Sequence, residues 1–106
     1  MKHITRKIAR AFHNRQALKT YNTMTDGTIL WLNGNKIAQW EQDGIWITTA
    51  GFNTPTTIER LNGLLGVGIY SSRGSLLLNG HPWDGSWVNV GEHNELHEGI
   101  PFDTNS

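Results

Sequence analysis

The 106-residue chain contains no cysteine, which excludes disulfides, thiolate zinc sites and cysteine nucleophiles and suits a reducing cytosol. Its apolar runs are only a few residues long, against the roughly 20 that a membrane helix requires. No secretory hydrophobic region follows the basic start. A soluble cytoplasmic protein with no membrane partner is therefore expected. A glycine-rich phosphate loop with its lysine is missing, and so is a Gly-x-Ser-x-Gly nucleophile turn. Carboxylates are scarce as well. Ahead of the acidic C-terminal stretch there are only Asp26, Glu41, Asp43 and Glu59, the first three at or beside predicted turns, where acids are ordinary. Nothing points to a catalytic pair or a cofactor, and the expectation is a protein that is not an enzyme.

Each end lacks one sign of charge. Residues 1–19 carry Lys2, Arg6, Lys7, Arg10, Arg15 and Lys19 without an acid, whereas 84–106 carry Asp84, Glu92, Glu95, Glu98 and Asp103 without Lys or Arg. The net charge of zero hides this polarity. Either the basic end serves an anionic partner or the two ends neutralise each other. The length suits one domain. The expected division is an α+β domain over 1–91, with a basic helix or arm at 1–19, and an acidic, flexible tail at 92–106. The run Glu92-His93-Asn94-Glu95-Leu96-His97-Glu98 would place both histidines on one helix face, a geometry that zinc favours. It is not His-Glu-x-x-His, and it lies in that tail with little around it to orient ligands. No metal site is assigned.

What the chain does have is tryptophan, five of them, within a composition that is 37% apolar. Ile4, Ile8 and Phe12 recur at helical spacing, so residues 2–13 read as a helix with bases on its other faces. From Thr28 the period falls to two. Asn33-Gly34 between apolar runs is a strong hairpin signal, and Gln42-Asp43-Gly44 leads into Ile45-Trp46-Ile47. Together these make a three-stranded antiparallel meander. Further strands are expected over 66–70, 75–79 and 86–90, separated by turn compositions.

Between the two β segments runs Thr48 to Gly66. Thr54 can cap a helix that starts at Pro55, or Thr56 and Glu59 can form a capping box. Ile58, Leu61, Leu64 and Leu65 share one stripe, and Gly66 suits a left-handed stop. Glu59, Arg60 and Asn62 are expected on the exposed side. The segments Leu32 to Ala38, Ala50 to Thr57 and Arg60 to Leu65, with Ala9 to Thr23 ahead of them, resemble a group of small uncharacterised proteins encoded by tailed bacteriophages. The group brings no catalytic residues to carry over. The resemblance implies a phage accessory protein working in the host cytoplasm, where such proteins bind and redirect host factors, defence complexes included.

The fold expected is α+β: an antiparallel sheet of five or six strands, as a meander, a helix and a hairpin, packed on one short central helix behind an N-terminal basic helix or arm. Trp40 and Trp46 are expected on the open face, opposite Ile45 and Ile47, and with Arg60 they are the candidate partner-binding residues. The leading function is a non-catalytic inhibitor or modulator that binds a bacterial host protein or a second copy of itself. The alternatives are an RNA- or DNA-binding module using Lys2, Arg6, Lys7, Arg10, Arg15 and Lys19, or a small homo-oligomeric virion component.

Overall fold

The computed structural model describes residues 2–94, with the side chain of Lys2 outside the described part. It opens with helix α1, Lys2–His13, which buries Thr5, Ile8, Ala9, Ala11 and Phe12 on one side. Arg15 stops the helix in the left-handed conformation at φ 58°. The N–H of Gln16 then returns to the Ala11 carbonyl at 2.8 Å and that of Arg15 to Phe12 at 3.2 Å, the paired bonds of a Schellman cap.

Six antiparallel strands follow around the order β1-β2-β3-β4-β5-β9: β1 Leu18–Lys19, β2 Thr23–Thr25, β3 Ile29–Leu32, β4 Asn35–Glu41, β5 Gly44–Ile47 and β9 Val88–Asn89. Asn33 and Gly34 both take positive φ, 51° and 83°, as a two-residue hairpin turn needs. Strands β1 and β2 carry little apolar character and were not part of the expected sheet. They form because Thr23 and Thr25 bury hydroxyls that find partners (Thr25 donates to the Ile29 carbonyl at 2.7 Å). Between β3 and β4, Leu30 faces Ala38 but Trp31 faces Lys36, so Ile37 is an unpaired bulge. The extra residue lets Ile37 and Ala38 both turn inward. It also resets the alternation, leaving Trp31 and Lys36 on the other face.

Helix α2, Pro55–Asn62, is capped by Thr54, whose Oγ1 accepts the Thr57 N–H at 3.2 Å, with Pro55 in the first turn. It ends at Asn62, with Gly63 as a right-handed cap and the left-handed glycine, Gly66, three residues further on. The expected apolar stripe therefore breaks. Leu61 and Leu64 are buried, but Leu65 lies past the helix and is 74% exposed. The Thr48 hydroxyl and Thr49 N–H both donate to the Gly85 carbonyl, at 2.7 and 2.9 Å, tying the start of this segment to the bend ahead of the last strand.

The remaining strands, β6 Ile69–Ser72, β7 Ser75–Leu78 and β8 His81–Pro82, form a separate three-stranded sheet beside α2. Ile69, Leu78 and Trp83 join Leu61, Leu64, Val67 and Val90 in one core with the residues of α1 and the large sheet. A third helix, α3, begins at 90 and is followed to 94. Asn89 caps it by accepting the Glu92 N–H at 2.8 Å, and Val90 and His93 are buried. Residues 92–94 of the expected tail belong to this helix. The remainder of that tail, 95–106, lies outside the described residues. The architecture is α+β, as expected, with an N-terminal basic helix and a mainly antiparallel meander.

Candidate functional site

The two faces of the six-stranded sheet differ. Thr23, Thr25, Leu30, Leu32, Ala38 and Ile47 point inward, where α1 and α2 cover them. On the other face the cross-strand rows run Lys19–Met24–Trp31–Lys36 and Ile29–Gln39–Trp46. These side chains are half-buried or exposed, and no described helix lies over them.

Toward the β9 edge of that outer face, Trp46 donates its Nε1–H to Asp43 Oδ1 at 2.8 Å. Its strand neighbour is Asn89, so Trp87, two residues earlier, falls on the same side and is 43% exposed. Trp46, Trp87, Lys36, Gln39, Glu41 and Asp43 enclose an open groove of about 480 Å³. The Gln39 amide donates to Glu41 Oε2 within it. Toward the β1 edge, Lys19, Tyr21, Met24 and Trp31 line a second hollow of about 550 Å³, and Tyr21 is 93% exposed.

Two of the expected partner-binding residues are elsewhere. Trp40 is paired with Ile45, so it shares the inner face with Ile45 and Ile47 instead of opposing them. It stacks on Phe12 at 5.8 Å and 23°, and its Nε1–H donates to the Phe12 carbonyl at 2.9 Å. The Arg15 guanidinium covers its ring at 4.4 Å. Trp40 is a latch for α1, and the open pair is Trp46 with Trp87. Arg60, expected on the exposed side of α2, is wholly buried. Its Nε donates to Thr23 Oγ1 at 3.0 Å, Nη1 to Thr5 Oγ1 at 2.9 Å and Nη2 to Asn22 Oδ1 at 3.4 Å. Arg60 therefore offers nothing to a partner. The early end of α2 and the polar lining from Thr5 and Thr23 drew it inward.

Arg6, Lys7, Arg10, Arg15 and Lys19 are exposed. None has a carboxylate within ion-pair distance among the described residues, where Arg60 with Glu59 at 3.7 Å is the pair formed. Asp84 and Glu92 do not meet the basic helix either; the other acids of the C-terminal stretch lie outside the described residues. Because α1 sits on the inner face, its solvent side with Arg6, Lys7 and Arg10 points away from Trp46 and Trp87. Arg6, Lys7 and Arg10 are thus on the side opposite Trp46 and Trp87, whereas Lys19 and Lys36 share the outer face with Trp31.

A third hollow, of about 660 Å³, gathers Ser75, Asp84 and His93 beside Trp83. Asp84 Oδ1 accepts the Ser86 N–H and hydroxyl, which hold its carboxyl below the usual carboxylate range. His93 Nε2 lies 3.2 Å from the Leu78 carbonyl. Among the described residues no hydrogen bond joins Ser75 to Asp84 or to His93. Among the described residues no three His, Asp or Glu groups converge as metal ligands. His97, Glu95 and Glu98 of the metal-like run are outside them. No described helix is long and apolar enough to cross a membrane.

Trp31, Trp87, Gln39, Glu41 and Asp43 were missed as site residues. For Trp87 the signal was present: in Trp87-Val88-Asn89-Val90 the alternation sets Trp87 and Asn89 against two valines. Fold and site define a small α+β protein with one sheet face sealed by helices and the other open and rich in tryptophan. It is a bacteriophage protein: over residues 1–99 the chain matches the family described as Kyanoviridae Gp96 protein, and it belongs to that family. No curated protein and no solved structure matches it.

Proposed function

We propose that this phage protein is a non-catalytic accessory factor that works in the host cytoplasm by binding a bacterial host protein, as an inhibitor or modulator, through the outer face of its six-stranded sheet. The observation behind this reading is the presence of Trp31, Trp46 and Trp87, with Met24 and Tyr21, on one uncovered face. Tryptophan buries about 150–250 Å² and is enriched among residues that dominate binding energy. A monomer gains little from leaving one exposed and two half-buried on one side.

Affinity capture from host lysate tests it. The protein should retain a discrete partner through nuclease and about 0.5 M salt, where charge-only contacts are screened. Trp46→Ala with Trp87→Ala should lose that partner. Recovery of nucleic acid alone, or equal capture by the double variant, would sink the reading.

The nucleic-acid alternative keeps one specific support: Arg6, Lys7 and Arg10, exposed on the solvent side of α1 and without an ion pair among the described residues. It predicts affinity that falls steeply with salt and collapses when these three become glutamine. Deleting the helix would not test it, because Ile8 and Phe12 belong to the core. Light scattering of the pure protein checks the homo-oligomeric reading.

A further inference from the structure

The groove between Trp46 and Trp87 is lined by two indole side chains and two carboxylates. Trp46 is held in place by its bond to Asp43 Oδ1, while Oδ2 of Asp43 accepts nothing from the described residues. Glu41 accepts from Gln39 through Oε2, and its Oε1 is likewise unbonded. Both acids are exposed, and neither has a cation within ion-pair distance among the described residues, although Lys36 lines the same groove. Unbonded carboxylate oxygens beside aromatic faces are the complement of a cation that is also planar. A guanidinium stacks on indole and offers five N–H donors in a fixed fork, whereas an ammonium is a compact and strongly hydrated charge. Lys36 narrows the choice further. The groove carries two negative charges and one positive, so it attracts a single cation and disfavours a polybasic run. Phosphate, which would face Glu41 and Asp43 directly, is repelled.

We propose that this groove receives one exposed arginine of the bound partner, with its guanidinium against the Trp46 and Trp87 rings and hydrogen-bonded to Glu41 and Asp43. The inference rests on the reading of the outer face as a partner surface, and it specifies that partner's chemistry: an extended or loop segment with one arginine among uncharged residues.

The test is an NMR titration of the full chain, following its indole N–H signals. The probe is a short peptide with one arginine between neutral polar residues, and the control is the same peptide with citrulline, which keeps the shape and removes the charge. The Trp46 and Trp87 signals should shift and saturate with the arginine peptide alone. That of Trp83, whose Nε1–H is bonded to the Ser86 carbonyl, should stay in place. Glu41→Gln with Asp43→Asn should weaken arginine-peptide binding about threefold to thirtyfold, the range of a partly desolvated cation–π and ionic contact. Asparagine at 43 keeps an acceptor for Trp46, so the groove remains formed.

Equal responses to the two peptides, or no response, would overturn the proposal. So would movement of the same indoles on raising protein concentration without peptide, because a second copy would then fill the groove. Lysate capture separates this inference from the reading beneath it. If capture depends on Trp46 and Trp87 yet ignores the Glu41→Gln, Asp43→Asn variant, the arginine assignment falls and the outer-face interface stands. If capture ignores the tryptophans too, both fall.

Discussion

Arg60 and Thr5 are 55 positions apart in sequence, yet Nη1 of one donates to Oγ1 of the other at 2.9 Å inside the protein. The same guanidinium reaches Thr23 and Asn22, so one side chain of α2 holds α1, β2 and the turn before β2. Its nearest carboxylate, on Glu59, is 3.7 Å away and partly exposed, so neutral oxygens supply most of its solvation. Losing one of them strands a buried donor. Thr5→Val should therefore lower stability by about 1–3 kcal/mol. Arg60→Ala should cost about 2–5 kcal/mol through the cavity it opens, and Arg60→Met, which refills the volume, should recover much of that. Urea unfolding with unchanged slope measures all three.

Thr5 also faces Gly63, where a Cβ would collide with the threonine methyl. The backbone there is ordinary, φ −76°, so the glycine is required by proximity and not by conformation. Gly63→Ala should destabilise by about 1–3 kcal/mol, against the intrinsic preference for alanine. Thr5→Ser removes the methyl and keeps the oxygen for Arg60. The double variant should regain most of the loss, and a double-mutant cycle by thermal unfolding would reveal that coupling.

Arg15 pairs a strained backbone with a useful side chain. Left-handed conformation costs a non-glycine residue about 1–2 kcal/mol, while its stacking on Trp40 returns about 0.5–1 kcal/mol. Arg15→Ala keeps the strain and loses the stacking, whereas Arg15→Gly loses both. Alanine should accordingly be the less stable of the two variants in chemical denaturation.

His13 supplies a pH dependence. Its Nε2 accepts the Leu65 N–H at 3.1 Å, which requires the neutral ring, and burial pushes its pKa below the usual value of 6.5. A pKa depressed on folding contributes stability that is complete above the unfolded value and is lost as pH falls. The stability difference between the native chain and His13→Gln should shrink as pH drops below 6.5. Unfolding midpoints across that range provide the measurement.

Much of the fold was legible because it is local. The helical spacing of Ile8 and Phe12, the Asn33-Gly34 turn and the Thr54-Pro55 helix start each act within a few residues. Trp40 was misplaced because its facing depends on cross-strand register, which pairs it with Ile45 across the second turn and sets it one step out of phase with Trp46. The Ile37 bulge shifts the phase again and brings Trp31 and Lys36 to the outer side. Arg60 was misread for a different reason: a charge is assigned to solvent by default, and only the distant hydroxyls of Thr5 and Thr23 make burial affordable. The groove was hidden because Trp87 lies more than forty residues beyond Asp43, just ahead of the strand that returns to β5 after the second sheet.

The outermost strands of the large sheet, β1 and β9, are two residues each. So short a border leaves few main-chain groups for a foreign strand to zip onto. The sheet is thereby guarded against stacking sideways into fibrils. On the broad side, by contrast, any contact would be decided by shape and side-chain identity rather than by generic backbone pairing.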